Sequence, residues 1–289
     1  MKNKFTGTGV ALITPFKNDN SVDYSALKKL VEFQINNGID YLVILGTTGE
    51  SVTLNSTERK KVIQTIIEAN NNRLPLVLGI GSNNTNQLIE DIKNTDLSSI
   101  DAILSVSPFY NKPTQEGIYQ HFKAVAKSTQ KDIILYNVPH RTGKNIDPKT
   151  VIRLANEFDN IIAIKDAAGD MQQTFEILKN KPNGFLVISG DDGLALSSVL
   201  AGGSGVISVI GQGMPNEFSK MINLGLDGKN QKAFEIHYNL MNLTDLIFQE
   251  GNPAGIKAIL NHKGICETQV RLPLTKVSDK LYNNIINEL

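Results

Sequence analysis

Ile161-Ile162-Ala163-Ile164-Lys165-Asp166-Ala167-Ala168-Gly169 opens with four apolar residues in succession, three of them isoleucine. An unbroken apolar run of this length, without the in–out alternation of a half-exposed strand, reads as a strand buried on both faces. Strands of that kind belong to parallel sheets, whose two faces are both covered. At the C-terminal end of the run stands one lysine, followed by small residues and glycine. An ammonium in that position loses part of its hydration, which favours the neutral amine. A neutral amine attacks carbonyl carbon and forms a Schiff base. The alternative is a lysine that marks the end of the strand and points into solvent.

Working outward, seven more short apolar runs recur at similar intervals. They are 9–16, 41–46, 76–81, 102–107, 133–137, 185–189 and 205–209, with 161–165 as the sixth of eight in chain order. Segments with helical spacing separate them. Leu27, Leu30, Val31 and Ile35 share one face, and Val62, Ile63, Ile66 and Ile67 another; Ile118, Phe122 and Val125 mark a fourth helix, and 194–201 a short seventh. Asp23 and Asn55 stand as N-caps, the latter with Glu58 placed for a capping box. Eight strands alternating with helices predict an α/β fold with a parallel sheet, and eight is the number that closes a (β/α)8 TIM barrel. An open doubly wound sheet would carry a glycine fingerprint after its first strand. Here that strand runs into Thr14-Pro15-Phe16 instead, which favours the barrel.

After Gly211 the pattern turns helical, with segments near 216–224, 231–248, 253–262 and 278–288. One of these completes the eighth unit. The expected organisation is a barrel catalytic domain over residues 1–225 and a C-terminal helical domain over 226–289.

The balance of charge narrows the function classes. Lysine plus arginine and aspartate plus glutamate are 29 each, so no global field draws the chain to nucleic acid or to a membrane. Cys266 is the single cysteine, which rules out an intrachain disulfide and points to a reducing compartment. No apolar run reaches transmembrane length and no signal-peptide core is seen at the N-terminus, so a cytoplasmic location is expected. His121, His140, His237 and His262 are scattered and fit no metal-ligand spacing. Asp191 and Asp192 form an acidic pair near a strand end and are read as caps of the next helix. No phosphate-binding glycine loop is present, so neither metal nor nucleotide is expected.

Barrel enzymes place their chemistry at the C-terminal ends of the strands. Strand two ends in Gly46-Thr47-Thr48-Gly49-Glu50-Ser51, whose hydroxyls and backbone N–H groups can hold a small carboxylate; a turn of this composition is also ordinary loop chemistry. Strand four runs into Pro108-Phe109-Tyr110-Asn111-Lys112-Pro113, and strand five into Tyr136-Asn137-Val138-Pro139-His140-Arg141-Thr142-Gly143. A tyrosine at a strand end can relay a proton, and an arginine just beyond it can clasp a carboxylate. Taken singly, Tyr136 is equally a strand-terminal aromatic and Arg141 a solvated loop charge. Their combination with a lysine on the adjacent strand favours a site.

GTTGES at 46–51, SPFYNKP at 107–113, YNVPHRTG at 136–143, IIAIKDAAGD at 161–170, SGDD at 189–192, GVISV at 205–209, NPAGIK at 252–257 and RLPL at 271–274 together resemble the dihydrodipicolinate synthase (4-hydroxy-tetrahydrodipicolinate synthase) family of pyruvate-dependent class I aldolases. The resemblance spans nearly the whole chain, in order. GTTGE and the lysine strand are shared with N-acetylneuraminate lyase and keto-deoxy sugar acid aldolases, which are the alternative activities; the arginine of YNVPHRTG is the more discriminating element. His140 departs from the family, which usually carries a smaller residue there. A barrel kept as a non-catalytic small-acid sensor would need neither Lys165 nor Tyr136.

The resemblance implies a homotetramer, a dimer of dimers, with no cofactor, that condenses pyruvate with L-aspartate 4-semialdehyde in lysine and diaminopimelate biosynthesis. It implies Lys165 as the Schiff-base nucleophile and Tyr136, Thr47 and Tyr110 as a proton relay, with Tyr110 coming from a neighbouring subunit. Thr47 and Thr48 would hold the pyruvate carboxylate, Arg141 would receive the second substrate, and Gly190 and Ile207 would line the pocket. Relatives inhibited by lysine bind it through a histidine, an asparagine, a glutamate and a tyrosine, where this chain has Arg59, Asn83, Gln87 and Phe109. Only the asparagine is kept, so weak or absent lysine inhibition is expected, with Glu90 as a partial substitute for the missing carboxylate.

Overall fold

A computed structural model describes residues 4–289. Eight parallel strands close into a barrel in chain order: β1 (Gly7–Ala11), β2 (Tyr41–Ile44), β3 (Leu76–Gly79), β4 (Ala102–Val106), β5 (Asp132–Asn137), β6 (Ile161–Asp166), β7 (Leu186–Ser189) and β8 (Gly205–Ser208). Closure is made by β1 against β8, with Gly7 opposite Gly205 and Gly9 opposite Ile207. The (β/α)8 reading is borne out, because strands apolar on both faces can be covered on the outside by helices and on the inside by one another.

Among the described residues, twelve α-helices accompany the strands: α1 (Tyr24–Asn36), α2 (Ser56–Asn70), α3 (Thr85–Lys93), α4 (Gln115–Ser128), α5 (Pro139–Thr142), α6 (Pro148–Glu157), α7 (Met171–Asn180), α8 (Ala195–Leu200), α9 (Pro215–Leu226), α10 (Asn230–Phe248), α11 (Ala254–His262) and α12 (Asp279–Asn287). Their starts follow the capping chemistry of the sequence. The Asp23 side chain accepts from Ala26 N, and Asn55 and Glu58 form a complete capping box on α2. Each such cap contributes about 1 kcal/mol. None of the helices among the described residues is long and apolar enough to cross a membrane.

The first strand departs from the expected 9–16. It begins two residues earlier, at Gly7, and ends at Ala11. Beyond Ala11 the chain leaves the sheet in steps. Leu12 N still reaches Val43 O at 3.0 Å, but Ile13 N donates to the side chain of Gln212 at 3.0 Å, and Pro15 has no N–H to offer. The apolar character of residues 12–16 serves packing rather than strand pairing: Leu12, Ile13 and Phe16 are buried in the shell between barrel and helices.

Side chains at alternate strand positions fill the barrel. Phe5 and Tyr41 occupy its N-terminal end in an edge-to-face contact with ring centroids 5.6 Å apart. The Tyr41 hydroxyl donates to Val206 O at 3.2 Å, and burial raises its phenol above the ordinary range. A side chain on Gly9 would run into the Tyr41 ring, so glycine at that position is what admits the tyrosine. Above this plug, Val43, Val77, Ala102, Leu104, Ile134, Ala163 and Ile188 form an apolar interior. The outward-facing strand residues pack on the helices, and α10, α11 and α12 contribute Leu243, Ile247, Ile259 and Ile285 to the same apolar cluster as Leu30 and Phe218. His121 belongs to the packing of α4. Its Nδ1 lies 2.9 Å from Thr85 Oγ1, and burial holds the imidazole down at about 4.

Candidate active site at the C-terminal end of the barrel

β5 and β6 pair so that Tyr136 stands opposite Lys165 and Asn137 opposite Asp166. Because side chains alternate along a strand, Tyr136 and Lys165 share the inner face while Asn137 and Asp166 face the helices. Lys165 Nζ lies 4.3 Å from the centroid of the Tyr136 ring. Only 6% of Lys165 and 7% of Tyr136 are exposed.

The Lys165 amine makes neither a hydrogen bond nor an ion pair among the described residues. That is unusual for a lysine with so little of its surface exposed. The chain supplies its own contrast in Lys257, fully buried on α11, whose Nζ donates to Glu50 Oε1 at 2.5 Å and to Gln269 O at 2.7 Å. One buried lysine is anchored; the other is left available.

Space around Lys165 is kept by Gly190, just past β7. A Cβ at that position would lie 2.9 Å from Lys165 Cε and 2.7 Å from the Ala167 Cβ, so any larger residue would displace the lysine stem. Ile207 on β8 is buried in the same interior cluster as Tyr136. Lys165, Tyr136 and Gly190 are brought together at one end of the barrel interior, and Ile207 belongs to the same interior cluster.

Thr47 and Thr48 lie on a 3-10 turn (Thr47–Gly49) at the end of β2. The turn is fastened from several sides. Thr14 Oγ1 donates to Gly49 O at 2.7 Å, and Asn252 Nδ2 donates to Thr48 Oγ1 at 2.9 Å. Glu50 follows in a left-handed conformation, φ 52°, and its carboxylate accepts from Lys257 Nζ and from Arg271 N at 2.9 Å. Thr48 is buried, whereas Thr47 is exposed. Because Thr48 Oγ1 already accepts from Asn252, its own O–H is free to donate, as a carboxylate ligand requires.

Two expected site residues are exposed within this chain. Tyr110 is 88% exposed, in a left-handed conformation at φ 71° that a tyrosine rarely adopts. Arg141 is exposed on α5, and its guanidinium has no hydrogen-bond or ion-pair partner among the described residues. The two loops touch through the backbone, Tyr110 N donating to Thr142 O at 3.3 Å. His140 is exposed beside Arg141; partial burial and the Arg141 charge lower its imidazole, and Asp191 opposes them.

The aspartate pair divides its tasks. Asp191 Oδ1 accepts from Leu194 N at 3.0 Å in the turn before α8, but the N-cap position of that helix is Leu194, with no side-chain cap. Asp192 does not cap that helix either: its carboxylate accepts from Val209 N and Ile210 N and fixes the end of β8. Among the described residues, no group of three or more His, Cys, Asp or Glu is arranged to hold a metal ion.

Three supports went unread in the sequence: Asn252, the Glu50–Lys257 pair and α5. Signals for two of them were present. Lys257 interrupts the otherwise apolar run Ala254–Leu260, and a lone lysine inside such a helix implies a buried partner. Pro139 at the first helical position and Gly143 four residues on, at φ 75°, bracket one helical turn.

Fold and site geometry together define a class, an eight-stranded barrel enzyme whose candidate chemistry centres on a buried lysine at the C-terminal face. The chain belongs to the dihydrodipicolinate synthetase family, whose family model matches residues 4–289. It is 57% identical to the 4-hydroxy-tetrahydrodipicolinate synthase of Flavobacterium psychrophilum over 97% of this chain and 96% of that one. Among solved structures, the dihydrodipicolinate synthase of Thermotoga maritima superposes with a TM-score of 0.96 at 37% identity, covering 99% of this chain and 98% of the other. A dihydrodipicolinate synthase from Cyanidioschyzon merolae, solved with lysine bound, gives a TM-score of 0.95 at 36% identity, with 99% and 98% covered.

Proposed function

We propose that this protein condenses pyruvate with L-aspartate 4-semialdehyde to give 4-hydroxy-tetrahydrodipicolinate, the committed step toward diaminopimelate and lysine. The observation that carries the reading is Lys165, a buried residue whose amine lies against the Tyr136 ring without a hydrogen bond or ion pair among the described residues, in a chain of this family. The Lys165 amine attacks the ketone carbon of pyruvate, and water leaves to give an imine. The imine withdraws electrons from the neighbouring methyl group, which loses a proton and becomes the enamine carbon. That carbon adds to the aldehyde, whose oxygen takes up a proton. The amino group of the second substrate then attacks the imine carbon, closes the ring and releases Lys165. One water is formed for each pair of substrates.

In this reading Tyr136 passes protons to and from the reacting centre through Thr47 and Tyr110. Thr47 and Thr48 hold the pyruvate carboxylate, and the Thr48 hydroxyl donates because Asn252 occupies its acceptor side. Gly190 and Ile207 shape the pocket. The exposure and strained backbone of Tyr110 fit a side chain that completes the site of a second copy, within a cytoplasmic homotetramer built as a dimer of dimers.

Arg141 is assigned the carboxylate of the aldehyde substrate. Its removal deletes a charge-assisted contact worth about 1.5–3 kcal/mol, or roughly 10–150-fold in affinity. The Arg141→Ala variant should therefore show a KM for aspartate semialdehyde raised by that order, with pyruvate imine formation nearly intact. Steady-state rates with each substrate varied check this. Faster cleavage of sialic acid or a keto-deoxy sugar acid by the wild-type protein would replace the proposed acceptor.

Feedback inhibition by lysine is expected to be weak or absent. The side chains at the corresponding positions already have partners within the chain: Arg59 Nε donates to Ser51 O and Leu54 O, Asn83 Nδ2 to Phe109 O, and Gln87 Nε2 to Asp91 Oδ1. Glu90, the nearest substitute carboxylate, faces Lys93 at 3.6 Å. Arg59 also brings a like charge to a cationic ligand. A sub-millimolar inhibition constant for lysine in the steady-state assay would contradict this expectation.

A further inference from the structure

Behind β5 and β6, four side chains close a hydrogen-bonded ring. Asn137 Nδ2 donates to Asp166 Oδ1 at 3.0 Å and to Asn145 Oδ1 at 2.8 Å. Asn145 Nδ2 donates to Gln173 Oε1 at 2.7 Å, and Gln173 Nε2 returns to the Asp166 carboxylate at 3.2 and 3.4 Å. Asn137 Oδ1 accepts from Ile146 N at 3.0 Å, so both ends of that amide are engaged. Asp166 also accepts from Ala168 N at 3.3 Å and Thr174 Oγ1 at 3.4 Å, and it has no cation partner among the described residues. Burial raises its carboxyl while these donors hold it down. An ionised carboxylate only accepts, so Asp166 fixes which way each amide of the ring must point.

The ring's position gives it a consequence for specificity. Asn137 and Asp166 directly follow Tyr136 and Lys165 on paired strands. Asn145 and Ile146 end the loop whose one helical turn, α5, carries Arg141. Gln173 ties the ring to α7, and Gln115 Nε2 on α4 adds a bond to Asn145 O at 2.9 Å. The loop therefore leaves β5 right after Tyr136 and is held by Asn145 to Asn137 and Gln173, both of which donate to Asp166, the residue beside Lys165. Among the described residues, no other side chain of this loop is hydrogen-bonded to β5 or β6.

We infer that Asn145 and Gln173 are positioning residues that set where Arg141 stands relative to Lys165 and Tyr136, and so register the aldehyde-carboxylate site to the nucleophile. This rests on the roles proposed above for Lys165 and Arg141. Neither Asn145 nor Gln173 touches substrate in this account. They act through the loop, and a displacement of about 1 Å at a binding group is enough to cost up to roughly 100-fold.

The test is Asn145→Ala in the wild-type and in the Arg141→Ala background, with substrate-resolved kinetics, borohydride trapping of pyruvate and thermal denaturation. The expected result is a KM for aspartate semialdehyde raised about tenfold, with the pyruvate KM and the trapping rate within about twofold. In the Arg141→Ala background the second change should add nothing, because the arginine it positions is gone. A KM for aspartate semialdehyde that does not move, equal losses for both substrates, or additive losses in the double variant would overturn the inference. If Asn145→Ala does not fold, Gln173→Met breaks the ring from the α7 side and is read in the same way. Wild-type protein that traps no pyruvate on Lys165 would instead overturn the underlying site assignment.

Discussion

Alanine in place of Lys165 should lower turnover by at least about 10⁴-fold, with little change in thermal stability. The rate loss follows from the loss of covalent catalysis: without an amine there is no imine, and without an imine no electron sink for the methyl proton. In barrier terms, 10⁴-fold corresponds to about 5.5 kcal/mol. The small effect on stability follows from the structure. Lys165 has no hydrogen bond or ion pair to lose among the described residues, and its nitrogen is not among the buried atoms left without a partner, so truncation removes a stem and strands no polar group. A rate assay paired with a melting curve separates the two effects. A variant within about tenfold of wild-type turnover would remove Lys165 from the mechanism.

Lys257→Met should behave in the opposite way, destabilising the fold by about 3–5 kcal/mol. Lys257 and Glu50 are both buried and bonded at 2.5 Å, and the pair joins α11 to the turn that carries Thr47 and Thr48. Desolvation pushes the Lys257 ammonium below its usual range, and the Glu50 charge opposes that shift. Methionine matches the length of the stem but leaves Glu50 as a buried, uncompensated carboxylate, still bonded to Arg271 N. Adding Glu50→Gln to Lys257→Met should recover part of the loss, because it removes the stranded charge. Urea unfolding read by circular dichroism gives both numbers. A loss below about 1 kcal/mol for Lys257→Met would mean that the pair contributes as little as an exposed one.

The barrel was legible because its strands are apolar on both faces, which few other structures demand of residues such as Ile161–Ile164. β1 was misplaced for the same reason in reverse. Gly7-Thr8-Gly9 has little apolar side chain to announce a strand, while Leu12, Ile13 and Phe16 are apolar for packing on helices. Helix starts at Asp23 and Asn55 were legible because a cap and its donor lie within three residues.

Side-chain networks were not legible, since they join residues far apart in the chain. Glu50 and Lys257 are separated by 207 positions and Thr48 and Asn252 by 204. Asp192 illustrates the limit at short range. It stands where a helix cap is expected, but the end of β8, 17 positions on, offers two backbone donors and takes the carboxylate instead. The candidate lysine itself was marked by its place at the end of an apolar strand. That it lacks a partner, while Lys257 has two, emerged only from the packed barrel.

The central claim is that Lys165 is the residue that bonds to pyruvate. Wild-type protein incubated with pyruvate and borohydride, digested and mapped by mass spectrometry should carry the reduced pyruvyl adduct on Lys165, with Lys257 unmodified. An adduct on any other lysine, or no adduct at all, would contradict the account.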